Sequence, residues 1–204
     1  MRKHRETRWT QSVRRVFFML GLATLCGTAI AQSKGDPVRG ATKTAVCAAC
    51  HGPGGSKPVA GMPALSGQQE EFLLLQMILL REGLREVPAM DGMLKAFSDA
   101  DLIDIAAYYN KAKPFTSNSQ RDAQRYNAGA KLSLAMGCGS CHMAGYVGQR
   151  QVPRITNQRE DYLASTLKAY RDNKRSGTDT SMNAVMYQIS DADIALLAHY
   201  LAHQ

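Results

Sequence analysis

Cys47-Ala48-Ala49-Cys50-His51 and Cys138-Gly139-Ser140-Cys141-His142 decide the reading of this chain. Each is Cys-x-x-Cys-His. Two thiols three positions apart can add to the two vinyl groups of one porphyrin, and the adjoining histidine can then ligate the iron through Nε2. Paired cysteines also suit a structural zinc. Here, however, the pairs lie 91 positions apart, beyond the spacing of most zinc modules, and zinc gives no reason for a histidine after both. A thioredoxin-like dithiol needs a strand–helix setting that neither stretch shows. The motifs therefore predict two haem c groups, attached through Cys47/Cys50 and Cys138/Cys141.

Working outward, the flanking sequence repeats. His51 and His142 are 91 apart, Pro63 and Pro153, Gln68 and Gln158, and Arg81 and Arg171 are 90 apart, and Ser98 and Ser190, like Tyr108 and Tyr200, are 92 apart. In the first copy, 36–46 reads as a helix entered through Pro37. A Gly/Pro-rich loop follows at 52–61, then a helix over 68–85. Ser98-Asp99-Ala100-Asp101 resembles a capping box ahead of Leu102, Ile105, Ala106 and Tyr109 on one helical face. The second copy has helices over 125–137 and 158–174, then Ser190-Asp191-Ala192-Asp193 before Ile194, Leu197, Ala198 and Leu201. No segment sustains strand alternation. The expected fold is all-α: two tandem domains at 32–114 and 125–204, each wrapped around one haem, joined by a polar linker at 115–124. Halves this short bury little apolar surface alone, so the haem must complete each core.

The amino terminus is of another kind. Residues 2–15 carry six basic side chains against Glu6, an apolar run spans 16–30, and Ala29-Ile30-Ala31 fits a small-x-small cleavage site. This predicts a signal peptide, 1–31, removed on export to the periplasm. The run is short for a retained anchor. Arg14-Arg15 only faintly matches a twin-arginine signal, a route for folded cargo, whereas haem c is attached to an unfolded exported chain. Cys26 lacks the small residue that precedes a lipidated cysteine and is expected to leave with the signal. The formal charge of +8 then falls to +3, so the basic balance is poor support for nucleic-acid binding. Residues 32–114 carry nine basic and nine acidic groups, and 115–204 carry ten and seven. An acidic partner would therefore favour the second domain, weakly.

Each iron also needs a sixth ligand. His199 and His203 lie on or after the last helix and have no counterpart in the first copy; they read as surface residues. Methionine remains. Met90 and Met182 each stand eight residues before the capping serine, whereas Met93 matches Val185 and Met186 matches Leu94. The repeat therefore selects Met90 and Met182, with Met93 and Met186 as neighbouring alternatives read as core, and Met62, Met77, Met136 and Met143 as packing residues.

The pattern Val46-Cys47-Ala48-Ala49-Cys50-His51-Gly52, Pro63-Ala64-Leu65-Ser66-Gly67-Gln68, Met90-Asp91-Gly92-Met93-Leu94 and Ser98-Asp99-Ala100-Asp101 before Ala106-Ala107-Tyr108-Tyr109 resembles the di-haem cytochromes c of the c4 type. Pro153-Arg154-Ile155-Thr156-Asn157-Gln158 echoes it without the Leu-x-Gly triplet. The resemblance implies two class I cytochrome c domains, the first methionine of each pair as ligand, and the Pro63 and Pro153 carbonyls as acceptors from the haem histidines. It also implies haems close enough for rapid exchange. The cofactor-binding set is then Cys47, Cys50, His51, Met90, Cys138, Cys141, His142 and Met182, with His51, Met90, His142 and Met182 on iron and no catalytic residue. The expected function is periplasmic electron carriage, one electron per His/Met-ligated haem, without enzyme activity, nucleic acid or small-molecule substrate. Donor and acceptor would be redox proteins, such as a membrane-bound oxidase or reductase or a flavoprotein. The alternatives are a cytochrome subunit of a larger oxidoreductase, such as a flavocytochrome sulfide dehydrogenase, and a haem peroxidase with one axial position that opens.

Overall fold

The computed structural model describes residues 34–175 and 180–204. The expected signal peptide, Cys26 and the first residues assigned to domain 1 lie outside them. In the first half, α1 (Pro37–Lys43) starts at Asp36, whose carboxylate accepts from the Val38 and Arg39 N–H groups while Pro37 fills the first turn. Then come α2 (Ala48–His51), α3 (Glu70–Arg81), a 3₁₀ turn at Pro88–Met90 and α4 (Asp99–Lys111). Ser98 and Asp101 close the capping box in both directions. The second half repeats the order with α5 (Ala123–Ala135), α6 (Cys138–His142), α7 (Glu160–Arg171), α8 (Ser181–Met186) and α9 (Asp191–Ala202). A single bridge between Gln149 and Val152 is the whole of the β structure among the described residues. The expected helix over 68–85 is shorter, starting at Glu70, because the Gln68 side chain bonds the Gln69 N–H and Arg154 rather than a helical turn. Asp122 caps α5 through the Arg125 N–H, so that helix takes in Ala123 and Gln124 from the polar stretch.

Each half is built on a close helix crossing, α1 against α4 and α5 against α9. Glycine permits the approach. A Cβ on Gly40 would fall 2.1 Å from the Asp104 carbonyl oxygen, and one on Gly129 would fall 2.3 Å from that of Leu196. Behind the crossings, Leu102, Ile105, Ala106 and Tyr109 are buried in one half, and Ile194, Leu197, Ala198 and Leu201 in the other, as the helical periodicity requires.

The missing Leu-x-Gly triplet does not change the loop. Gly67 has φ 68° and Asn157 takes its place at φ 57°, a conformation asparagine tolerates. Their N–H groups donate to matching carbonyls, Tyr109 and Leu201, both at 2.8 Å. Met143 is less well suited. It occupies the position of Gly52, with φ 67° and ψ 169° against 74° and 168°, a region that only glycine adopts without strain. Met143→Gly should stabilise the second half by about 1–2 kcal/mol. A melting temperature unchanged or lowered in this variant would contradict that reading.

His199 corrects the sequence reading. It is 1% exposed, not a surface residue. Its Nε2 accepts from the Asp122 N–H at 3.0 Å, so its Nδ1 carries the proton and donates to Glu160 at 2.9 Å, while Arg125 bonds the same carboxylate at 2.6 Å. His203 donates through Nδ1 to the His199 carbonyl and meets Ser119 through Nε2. These bonds tie the connecting segment to domain 2 and leave both nitrogens of each ring engaged. A metal bound by Glu160, His199 and His203, which lie close together, would have to break them.

The two halves pack through 58–69 and 147–161. Gly61 N–H donates to Asp161 at 2.9 Å, Gln69 Nε2 to the Val147 carbonyl at 2.8 Å, and Arg159 to the Pro58 carbonyl at 3.3 Å. Residues 34–204 accordingly form one compact unit.

Candidate haem centres

The haem motifs are wound into short helices. α2 carries Ala48 to His51 with Cys47 just before it, and α6 carries the whole of Cys138–His142. One helical turn brings the two cysteines of each motif to one side and turns the histidine inward. Cys50 and Cys141 are exposed, Cys47 and Cys138 half-buried, and none of the four is in a disulfide. Both histidines are 6% exposed. His51 Nδ1 lies 2.8 Å from the Pro63 carbonyl oxygen and His142 Nδ1 lies 2.9 Å from that of Pro153. A carbonyl only accepts, so each Nδ1 carries the proton. Burial lowers both imidazole pKa values, against the raising effect of the proline carbonyls. The rings are neutral, with Nε2 available as a lone-pair donor.

Both histidines line one cavity, which includes about 1780 Å³ of space free of protein atoms, part of it open to solvent. Cys47, Cys50, Met90 and Met93 line it from the first half and Met182 from the second. Met90 sits on the 3₁₀ turn and Met182 in α8, both half-buried. Met186 is 2% exposed and packs with Leu167, Ile194 and Leu197, so it is core as read from sequence. Met93 is not core: it is 38% exposed and reaches the cavity wall. Met62 also lines the cavity, Met77 and Met136 pack against the cores, and Met143 is 38% exposed. Cys138 and Cys141 flank His142 in α6 but stand off this lining, as do His199 and His203, whose ring nitrogens are all engaged by Asp122, Glu160, the His199 carbonyl and Ser119.

Arg85 and Arg175, which sequence reasoning passed over, are the cavity's second feature. They are 90 positions apart, hence equivalent in the repeat, and the fold brings both to Tyr162. Arg175 Nη1 lies 3.3 Å from the Tyr162 hydroxyl and 3.3 Å from that of Thr166, and its guanidinium stacks on the Tyr170 ring. Arg85 bonds Gln76 at 2.7 Å. Burial lowers the Arg85 pKa and the neighbouring Arg175 lowers it further. Against its own burial, the Tyr162 phenol is pulled down to about 8 by Arg175 and Arg85. Among the described residues no carboxylate pairs with either guanidinium, and the buried Arg175 Nε has no partner there. Two like charges gathered in an apolar cavity need anions. Haem brings two propionate carboxylates, so the apolar walls, neutral histidines, methionine sulfurs and two guanidiniums with no carboxylate partner among the described residues together fit two haem c groups.

The fold and its sites define a di-haem c-type cytochrome: two all-α cytochrome c domains, each with a covalently attached haem. Residues 126–204 match the family model described as cytochrome c, and residues 40–108 match the model for cytochrome C oxidase, cbb3-type, subunit III. Cytochrome c4 of Azotobacter vinelandii is 36% identical over 200 residues, covering 88% of this chain and 94% of that one. The chain belongs to the cytochrome c4 family. The crystal structure of reduced recombinant cytochrome c4 from Pseudomonas stutzeri superposes with a TM-score of 0.75 at 35% identity, over 82% of this chain and 98% of that one. A thiosulfate dehydrogenase electron acceptor of Thiomonas intermedia is 32% identical over 94% of this chain and 92% of its own length.

Proposed function

We propose that the chain is a periplasmic electron carrier that holds two His/Met-ligated haems and passes one electron at a time through each. The observation that carries this is the pairing, in equivalent places of the two halves, of a neutral, proline-anchored histidine with a methionine on the wall of one cavity. When bound, haem supplies a one-electron ferric/ferrous couple. The chain's part is to hold each iron from both sides so that its coordination is the same in either state. His51 and His142 would hold the iron through Nε2 and Met90 and Met182 through sulfur, and the apolar wall would raise the potential by excluding water. Held by a histidine and a methionine in each domain, neither iron would offer a place for substrate, which separates this reading from a peroxidase.

Domain 1 spans 32–114 and domain 2 runs from the start of α5 at Ala123 to 204, which shortens the expected 115–124 connector to 115–122. The basic, apolar and small-residue order of 1–31 supports export to the periplasm. No helix among the described residues is long and apolar enough to cross a membrane. The likeness to a thiosulfate dehydrogenase electron acceptor supports a periplasmic sulfur-oxidising enzyme as the class of donor. A pyridine haemochrome assay with protein quantitation should return two c-type haems per chain, and the ferrous protein should bind no carbon monoxide. Fewer than two haems, or carbon monoxide binding at either iron, would sink the reading.

A further inference from the structure

We propose that Gln68 and Gln158 are cross-domain positioning residues, each setting the donor strength of the haem-ligating histidine in the opposite domain through one shared peptide group. Gln158 belongs to domain 2, yet its side chain reads the backbone of domain 1. Its Oε1 accepts the Ala64 N–H at 2.8 Å and its Nε2 donates to the Ala64 carbonyl at 2.9 Å. Gln68 does the same in reverse. Its Oε1 accepts the Arg154 N–H at 2.7 Å and its Nε2 donates to the Arg154 carbonyl at 2.8 Å. The two glutamines are equivalent in the repeat, and so are Ala64 and Arg154. The four bonds form a reciprocal pair about the boundary between the halves.

The placement of these bonds matters more than their number. The Ala64 N–H and the Pro63 carbonyl are the two ends of one peptide group, and the Pro63 oxygen accepts from His51 Nδ1. Likewise the Arg154 N–H and the Pro153 carbonyl are one group, and the Pro153 oxygen accepts from His142 Nδ1. A peptide is a resonance unit. An acceptor on its N–H draws electron density toward its oxygen, which makes that oxygen a stronger acceptor. A stronger acceptor on Nδ1–H gives the imidazole more imidazolate character and makes it a better donor at Nε2, which favours ferric iron. The sequence from domain 2 to the first haem is thus Gln158 Oε1, the 63–64 peptide, His51.

The amide orientations are set by the surroundings. Gln158 Oε1 also accepts the Arg159 N–H at 2.9 Å and Gln68 Oε1 the Gln69 N–H at 2.9 Å, so a flipped amide would oppose two donors with a third. Both side chains are buried, with Gln68 at 7% and Gln158 at 8% exposure, where neither water nor salt competes. Simple fastening of the interface would need the same four bonds, but would not require them on the one peptide in each domain that touches the haem histidine.

The inference rests on His51 and His142 as iron ligands, and that premise is checked first. The ferric holoprotein should show two hyperfine-shifted histidine Nδ1–H proton resonances; their absence would overturn the ligand reading before any variant is made. Redox titration followed by the haem methyl resonances then separates the two centres. Gln158→Met keeps the side-chain length and removes the acceptor oxygen. The haem on Cys47/Cys50 should rise in potential, its ferrous-to-ferric ratio increasing roughly three- to tenfold at fixed applied potential, while the haem on Cys138/Cys141 stays put. Gln68→Met should do the converse. Gln158→Glu, held as the neutral acid, restores an acceptor oxygen toward the Ala64 N–H and an O–H donor toward the Ala64 carbonyl, and at a pH where it is uncharged should return the first haem to its original potential. A shift confined to the mutated residue's own domain, equal shifts at both haems, no shift at all, or a Glu variant indistinguishable from Met would overturn the proposal.

Discussion

Met90→Ala and Met182→Ala, made singly, should each open one iron and leave the other closed. In each variant the ferrous protein should bind carbon monoxide to half of its haem. The affected centre should fall in potential by on the order of 0.1–0.3 V, inside the ≈ 0.8 V range that axial ligands span. The fall follows from exchanging a thioether, which favours ferrous iron, for water or an empty position. The effect should be independent at the two sites because the methionines stand on separate elements, the turn Pro88–Met90 and α8. Met93 supplies the control. It lines the same cavity as Met90 while being 38% exposed, and Met93→Ala should leave both haems closed. Carbon monoxide binding by Met93→Ala and not by Met90→Ala would transfer the ligand role to Met93. Met186 needs no such control, since its side chain is core.

Asp104→Leu should cost the first domain about 2–3 kcal/mol and flatten the acid limb of its stability profile. The Asp104 side chain is 4% exposed where α1 crosses α4. It accepts the Asp36 N–H at 2.8 Å, Arg39 Nε and Nη2 at 2.9 Å each and Lys43 Nζ at 2.9 Å. Removing one partner of a buried ion pair costs about 3–5 kcal/mol; the figure is reduced here because Arg39, 61% exposed, can rehydrate. The hydrogen bond from Arg39, then the Asp36 N–H and Lys43, hold the Asp104 carboxyl well below the usual carboxylate range, and Lys43 with Ser98 holds Asp101 at about 2. A carboxyl depressed in the folded state contributes stability above its unfolded pKa, near 4, and loses it as pH falls through the folded value. The wild-type melting temperature should therefore decline steadily from about pH 4 downward. Asp104→Leu should begin lower and decline less. Parallel profiles for the two proteins would show that Asp104 is not the group responsible. The second domain has Leu196 at the equivalent place, so an effect on its own unfolding would also count against this account.

Much of the molecule is legible in its sequence. The haem motifs are local chemistry, and five residues suffice to state them. The faces Leu102/Ile105/Ala106/Tyr109 and Ile194/Leu197/Ala198/Leu201 follow from helical period alone, and Ser98 and Ser190 mark helix starts by a three-residue rule. The repeat added equivalence, which placed Met90 and Met182 together on one list. His199 was misread for an instructive reason. Its neighbours Ala198 and Leu201 are core, but its partners Asp122 and Glu160 lie 77 and 39 residues away, and a buried histidine is distinguishable from an exposed one only through such partners. Met93 departs from expectation for the opposite reason: its hydrophobicity and its place beside Met90 suggest core, whereas it stands exposed at the cavity rim.

By itself, the sequence determined that this protein carries two haems in two copies of one helical domain, because covalent attachment and helix periodicity depend on residues near one another in the chain. Tertiary structure alone decided how the copies meet. An offset of 90 makes Arg85 equivalent to Arg175 and Gln68 equivalent to Gln158, but equivalence is a statement about two separate domains and implies no contact. Only packing the halves across 58–69 and 147–161 gathers the guanidiniums at Tyr162 and lets each glutamine reach the peptide behind the other domain's haem histidine.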